Sequence, residues 1–551
     1  MVAKSILSFY SGNGHDGNLS VCVDASVYTL EFERIFGNRY FTRLLNPFSY
    51  YAFGDIRAFS EEDRLTFLEY IAKILKDKGL HRQSYDVGLF DWDTPKEVVE
   101  LLTKYFNIKE VLHKGSDFTS HHKAHAAGAF HTSGFDEALV FSYDGGGNDG
   151  TFCVYDLEKP NLDFSQLNQK VINPFPTKYA RIGNFIKEIR KPELGDTLET
   201  KTHEHNGVSY PGKIMGLAGY GSFNQNFYDR CYSYFNDEDT QNISLSYLNN
   251  FGDFRFNQFE GVQAYDLAFN AQKAFEDTLI NDFRKFVTAF PNRKNICLTG
   301  GGALNVLLNE RLSKSFPDLN FFVPCSPGDS GISYGMIAHY QNSPVHSEVM
   351  YSGCGILDEG VLPFVLDHRP WKKATPELIA SELEKGKIIG VCRGDSETGP
   401  RALGNRTILA DPRSHKAKDN INKKVKFREW FRPFAPICKE SKASVYFDIS
   451  DNACYKYMSF SPNIREEYRR VLPAVTHTDG SSRLQTISKE NNEFIYNILD
   501  EFEKITGVPV LVNTSFNSRG KSILTHYQTA IQILDSTQLD SLVLGDYYIY
   551  K

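Results

Sequence analysis

The sequence predicts an α/β protein built as two units, the first of them internally duplicated. Two observations lead to this reading. The stretch Ser8-Phe-Tyr-Ser-Gly-Asn-Gly-His-Asp-Gly17, running into Leu19–Val23, is echoed by Ser142-Tyr-Asp-Gly-Gly-Gly-Asn-Asp-Gly150 running into Thr151–Tyr155. Each copy reads as strand, glycine-rich turn, strand. A polar, proline-containing stretch, Gln341–His346, then separates two regions that both alternate helical and strand periodicity, so the expected units are 1–345 and 346–551.

In chain order, Leu68, Ile71 and Leu75 recur at helical spacing, Asp86–Phe90 has the length and composition of a short strand, and Pro95–Phe106 forms an amphipathic helix. Leu139–Tyr143 is the strand entering the second glycine-rich turn. A third such turn, Thr299-Gly-Gly-Gly-Ala-Leu-Asn305, follows the apolar strand Ile296–Leu298 and opens a helix through Leu312. Glycines permit the backbone angles of these turns and leave amides uncovered for phosphate oxygens, which marks Gly145, Gly146, Gly147, Gly300, Gly301 and Gly302 as candidate nucleotide contacts. Two copies of the motif suggest a nucleotide cleft between duplicated halves. In the second unit, strands are expected near Ile388–Cys392, Val508–Asn513 and Asp540–Leu544, with helices near Pro376–Lys385 and Asn491–Thr506.

A chain of 551 residues exceeds what one hydrophobic core usually organises, which agrees with two units. No apolar run approaches bilayer length, so a membrane protein is excluded, and Met1 to Tyr10 reads as a strand rather than a signal peptide. A cytoplasmic protein is expected. The nine cysteines are scattered and never form a C-x-x-C pair, which argues against a thiolate zinc site or a disulfide framework. The net charge of −7 gives no general attraction to polyanions.

The segment Ser120-His-His-Lys-Ala-His125 follows Thr119, and Thr119 or Ser120 can cap an alanine-rich helix. His121 and His125 then lie one turn apart on one face, able to grip one metal ion, while His122 points elsewhere. Asp144 and Asp329, the latter in Pro324-Cys-Ser-Pro-Gly-Asp-Ser-Gly331, are the candidate partners. Two imidazoles and two carboxylates suit a divalent ion such as iron(II), manganese or zinc.

These residues carry a resemblance to the NodU/CmcH-type O-carbamoyltransferases. The first unit resembles the ASKHA (actin/Hsp70-like) domain, through His121–His125, Tyr143–Gly147, Lys213-Ile-Met-Gly-Leu-Ala-Gly-Tyr-Gly221, Thr299–Asn305 and Pro327–Gly331. The second resembles the YrdC-like domain, through Gly399-Pro-Arg-Ala-Leu-Gly-Asn-Arg406 and onward to Arg413, Lys426-Phe-Arg-Glu-Trp-Phe-Arg-Pro-Phe-Ala-Pro436 and Asn513-Thr-Ser-Phe-Asn517. The resemblance implies that His121, His125, Asp144 and Asp329 hold the metal, preferentially iron(II). It also implies that the glycine loops, with Lys213, Gly216 and Asn305, hold the adenylate. Carbamoyl phosphate and ATP, the latter with Mg2+, are expected to give carbamoyladenylate in the second unit, for transfer to an acceptor alcohol at the metal.

Residue chemistry supports the same assignment. Two polyanionic substrates repel each other, and Arg401, Lys426, Arg432 and Arg483 can supply the fixed cations that bring them together. Ser482, Asn513 and Ser515 can add neutral hydrogen bonds. His15, beside Asp16 in the first glycine-rich turn, is the candidate general base.

The acceptor is not written in any motif. A small-molecule alcohol is the default. Arg34–Arg43 and Lys178–Lys191 interleave cations with aromatic residues and also suit a nucleotide or a hydroxymethylated pyrimidine in DNA. The segment from Asn173 to Pro211 is a candidate acceptor lid, and an oligomer is compatible with the sequence. Competing readings are a threonylcarbamoyl-type tRNA modification enzyme and a non-catalytic ASKHA ATP-binding protein.

Overall fold

A computed structural model describes residues 5–12, 15–37, 39, 60–171, 173–190, 209–237, 259–342 and 349–551. The expected boundary at 345 and residues 191–208 of the candidate lid lie outside these residues. The protein is mixed α/β, as predicted, with three sheets among the described residues.

The first sheet has the order β3-β2-β1-β4-β5, from β1 (Ile6–Tyr10), β2 (Asn18–Val23), β3 (Ser26–Glu31), β4 (Tyr85–Phe90) and β5 (Ile108–Leu112). The second has the order β7-β6-β8-β9, from β6 (Glu137–Tyr143), β7 (Phe152–Glu158), β8 (Asn295–Thr299) and β9 (Asn320–Phe322). In both, the strand entering the glycine-rich turn pairs antiparallel with the strand leaving it and parallel with the next one along. The next pair is parallel as well. The repeat read in the sequence is therefore a repeat of topology. Strand β3 escaped prediction because its hairpin turns on Asp24 and Ala25, both with positive φ and neither the glycine that usually marks such a turn.

Two helices lie between these sheets. His121–Ser133 packs on β6 and β8, Ile332–Gln341 packs on β1 and β2, and the helices pack on each other. They touch backbone to backbone. A Cβ on Gly335 would stand 2.1 Å from the Ala124 carbonyl oxygen, and one on Gly128 would stand 3.4 Å from the Gly335 Cα. This contact fixes how far His125, next to Ala124, lies from Asp329 at the start of the other helix.

The third sheet belongs to the second unit and has eight strands in the order β10-β17-β16-β11-β12-β15-β13-β14. They are β10 (Trp371–Lys373), β11 (Ile389–Cys392), β12 (Arg406–Ala410), β13 (Ala435–Lys439), β14 (Gln485–Ile487), β15 (Val510–Ser515), β16 (Ser541–Leu544) and β17 (Tyr547–Tyr550). Helices Pro376–Glu384 and Glu493–Thr506 lie where their amphipathic patterns put them.

Buried polar contacts, as well as a shared apolar core, join the part of the chain that carries the third sheet to the part that carries the first two. Arg34 is almost fully buried, 3.3 Å from Glu31 and 3.8 Å from Glu397, and donates to the Gly399 carbonyl. Glu31 accepts from the Gly399 amide at 2.8 Å. Arg34 is thus an internal tie and is not available to a nucleic acid. Lys178 is likewise buried, donating to the Tyr234 and Asp237 carbonyls at 2.9 Å each. The described parts of both aromatic-cationic segments therefore spend key cations inside the protein.

Gly335→Ala should push the paired helices apart and lower stability by about 1–3 kcal/mol, the usual cost of overpacking. The check is the urea midpoint of unfolding, and an unchanged midpoint would contradict the tight contact.

Candidate active site

The helix carrying the histidines is held at its start by the second glycine-rich turn. Asn148 accepts the His121 amide proton at 2.9 Å, while the Ser120 hydroxyl, expected as a possible cap, turns to Asp149 instead. Gly147 makes this approach feasible, since a Cβ there would lie 2.7 Å from the His122 ring and 3.0 Å from that of His121. His122 does point elsewhere, bonding the Ser142 hydroxyl at 2.8 Å and the Gly150 carbonyl at 2.9 Å.

His121 and His125 face one space, their ring centroids 4.7 Å apart. Asp144 enters it from the end of β6, and Asp329 from the turn that opens Ile332–Gln341. His125 Nε2 lies 3.5 Å from an Asp144 oxygen and 3.4 Å from Asp329 Oδ1, and His121 Nε2 lies 3.7 Å from the same Asp329 oxygen. One atom from each of the four residues falls within 4.8 Å of all the others.

The donor set fits a divalent cation. His121 Nε2, His125 Nε2 and Asp329 Oδ1 are buried with no hydrogen-bond partner among the described residues, a costly arrangement unless something bridges them. The electrostatics agree. Burial opposes charge on His125, but Asp144 and Asp329 outweigh it and push its pKa up to about 9, whereas burial and the neighbouring His125 hold His121 down. Burial also works against charge on both carboxylates, yet the histidines keep each below its ordinary range. Two carboxylates facing one buried point call for positive charge, which a protonated His125 supplies without an ion and a bound cation would supply in its place.

A cavity of about 490 Å³ runs from these carboxylates to the second unit. At the carboxylate end it is lined by Asp144, Asp329, Gly145, Gly301, Gly302 and Asn305, together with His15. His121 and His125 do not line it and are reached past the two aspartates. Gly146, Gly147 and Gly300 do not line it either. Gly300, with φ +84, packs where a Cβ would meet the Tyr143 carbonyl at 2.3 Å, and the Gly301 amide donates to Asp144. Asn305 caps the helix Val306–Ser315 by accepting from Leu308 at 3.1 Å, and its amide donates to Gln272. His15 Nδ1 bonds Asp16 at 2.8 Å; burial opposes its charge, but Asp16, with Asp329 and Asp144 behind it, pushes its pKa up to about 10.

Cations crowd the other end. Lys426 ends a π-helical turn, Ile421–Lys426, and is buried, donating to the Ser515 and Asn517 carbonyls at 2.7 and 3.0 Å. Arg401, Arg432 and Arg483 line the same space. So does Arg428, which sequence reasoning passed over although it lies inside the Lys426–Pro436 block; it stacks on Phe434 and bonds Asn422 at 2.7 Å. Burial and mutual repulsion drive Lys426, Arg428 and Arg483 well below their ordinary proton affinities, and Arg483 Nε is buried without a partner among the described residues. An anion would relieve both. The neutral candidates are more occupied. Ser482 donates to the Val475 carbonyl at 2.7 Å, Asn513 donates to Gln485 at 2.6 Å and to the Ala402 carbonyl at 3.1 Å, and Ser515 shares a 2.8 Å bond with Asn517.

Lys213 and Gly216 close the cavity between the units. The Lys213 ammonium pairs with Glu429 at 2.9 Å, and the Gly216 carbonyl lies 3.0 Å from His477 Nε2. Neither Glu429, although it lies inside the Lys426–Pro436 block, nor His477 was singled out, because their contacts depend on packing between distant parts of the chain. A larger hollow of about 680 Å³, among Lys372, Lys387, Lys424 and Tyr548, is lined by none of the residues singled out in the sequence.

Comparison with known proteins bears on both ends of the cavity. Residues 52–337 match the carbamoyltransferase N-terminus family and residues 380–551 the carbamoyltransferase C-terminus family. The chain is 32% identical to nodulation protein NolO of Bradyrhizobium diazoefficiens, over 78% of this chain and 79% of that protein. It is 30% identical to nodulation protein U of Sinorhizobium fredii, over 73% of this chain and 72% of that one. Among solved structures, full-length HypF in a phosphate- and nucleotide-bound form aligns over 62% of this chain and 46% of that one, at 15% identity and a TM-score of 0.33. The two family matches and the NolO likeness together show that the chain belongs to the carbamoyltransferase family.

Proposed function

We propose that the protein is an ATP-dependent O-carbamoyltransferase whose two steps occur at the two ends of one cavity. The observation that carries this reading is the charge pattern of that cavity. One end gathers Lys426, Arg401, Arg428, Arg432 and Arg483, and the other presents Asp144 and Asp329 in front of two imidazoles. The duplicated first unit is read as ASKHA-like and the second as YrdC-like.

At the cationic end, carbamoyl phosphate and ATP with its Mg2+ are held together; water cleaves carbamoyl phosphate to carbamate and phosphate, and a carbamate oxygen then attacks the α-phosphorus of ATP, giving carbamoyladenylate and expelling pyrophosphate. Bringing two polyanions into contact is unfavourable in water, and cations fixed in advance offset that repulsion without reorganising during reaction. The arginines offer forked donors for phosphate oxygens, and Lys426 a point charge. Adenylation gives the carbamoyl carbon a good leaving group, AMP, which an alcohol can displace.

At the other end, His121, His125, Asp144 and Asp329 would hold a divalent ion, with iron(II) preferred and manganese or zinc as alternatives. The chemistry such an ion supplies is Lewis acidity toward a carbonyl oxygen. The Gly145 and Gly301 region, which lines the cavity, would lie against the adenylate. His15, its Nδ1 tied to Asp16, is placed to take the acceptor's proton at Nε2. That role requires the pull of Asp16, and behind it of Asp329 and Asp144, to be compensated, since these carboxylates otherwise keep His15 protonated. The acceptor is read as a small-molecule alcohol.

Three outcomes test this reading. His125→Ala should abolish carbamoyl transfer while pyrophosphate release from ATP and carbamoyl phosphate continues; joint loss of both would argue against separate steps. Lys426→Ala should reduce adenylate formation by about 100-fold or more, as loss of a key electrostatic donor does, yet supplied carbamoyladenylate should still carbamoylate the acceptor. Failure of that rescue would count against the assignment. Protein stripped with a chelator, dialysed and assayed in Mg2+ should release pyrophosphate but transfer nothing until iron(II) or manganese is returned, as mass spectrometry of the acceptor would show.

A further inference from the structure

The first repeat contributes no side chain to the His121, His125, Asp144 and Asp329 cluster, yet its hairpin ends against one of these four. Tyr10 and Asn18 are directly opposite each other, the last register pair of β1 and β2. Both bond to Asp329. The Tyr10 hydroxyl donates to Asp329 Oδ2 at 2.8 Å, and the Asn18 side-chain amide donates to the Asp329 backbone carbonyl at 2.9 Å. Asn18 is itself fully buried; its amide also donates to the Asp16 carbonyl at 2.6 Å, and its oxygen accepts from the Ser333 amide at 3.1 Å.

The hairpin is anchored in turn. Asp91, buried at the end of β4, accepts the Ser11 amide at 2.8 Å and so fixes the chain immediately after Tyr10. The consequence shows at the carboxylate. Its two oxygens are divided, Oδ2 taken by Tyr10 and Oδ1 left with no hydrogen-bond partner among the described residues, facing both His121 and His125. A tyrosine that merely satisfied its own hydroxyl would not need a cross-strand neighbour holding the same residue's backbone.

We propose that Tyr10 and Asn18 are positioning residues that present Asp329 to the cation through a single oxygen. The inference rests on the metal-binding reading of the cluster. The first repeat thereby acts as a brace for a site whose ligands all come from elsewhere. Carboxylates that ligate metals are commonly held by such outer hydrogen bonds, and losing one typically weakens binding by about 10–100-fold.

The test uses the full chain and Co2+ as the probe. Metal-free parent protein is titrated calorimetrically and by visible absorption, alongside Tyr10→Phe, which keeps the ring and removes only the hydroxyl. The expected result is one Co2+ bound by the parent, an affinity about 10–100-fold weaker in Tyr10→Phe with an altered d–d band, and an unchanged melting temperature of the metal-free protein. Asn18→Ser, which shortens the other donor, should weaken Co2+ binding as well and serves if Tyr10→Phe does not fold. If the parent binds Co2+ and the variants match it in affinity and spectrum, the positioning role is wrong although the metal site stands. If the parent binds none, the metal reading fails and takes this inference with it.

Discussion

Two carboxylates brought together in a largely buried place repel each other, and the first unit is organised around making that arrangement tolerable. Asp144 and Asp329 are far apart in the chain, and the contact of two helices, His121–Ser133 and Ile332–Gln341, through Gly335 and Gly128 sets Asp329 beside the histidines that Asp144 also faces. The imidazoles of His121 and His125 face the same point, and no described side chain satisfies the atoms that remain. The close helix contact, the Asn148 cap and the absence of a side chain at Gly147 all serve one geometry.

The second unit has the opposite problem, too many cations. Lys426, Arg428, Arg432, Arg401 and Arg483 share one space, with Glu429 turned largely to Lys213 and Arg432. Each unit alone holds an unbalanced charge; joined by Arg34, Glu31 and Glu397 and by a common apolar core, they form a cavity with opposite polarity at its ends. On the proposed reading, phosphate groups are drawn to one end and a cation to the other, and the separation of the two proposed steps follows from where charge is buried.

Much of this was legible in the sequence. The duplication was visible because strand, glycine-rich turn and strand are local patterns, and the i, i+4 spacing of His121 and His125 fixed their common face. Pairing them with Asp144 and Asp329 drew on glycine-rich context and family resemblance, since nothing local joins positions almost 200 residues apart. Arg34 and Lys178 were misleading for the same reason: composition suggested an exposed, cationic-aromatic surface, and only tertiary packing shows them buried against Glu397 and the Tyr234 carbonyl. Asn305 and Asn513 were read as ligand contacts, and in the fold their amides are engaged by a helix end and by neighbouring strands and loops. A sequence shows which groups are present, but not how many of their hydrogen bonds the fold has already claimed.

The most direct test of the account is X-ray absorption spectroscopy of the metal-loaded protein at the edge of the bound ion. The account predicts a first shell of two imidazole nitrogens with carboxylate oxygens at about 2.0–2.2 Å. A shell containing sulfur, or one of water oxygens without imidazole, would contradict the convergence of His121, His125, Asp144 and Asp329 on a single cation.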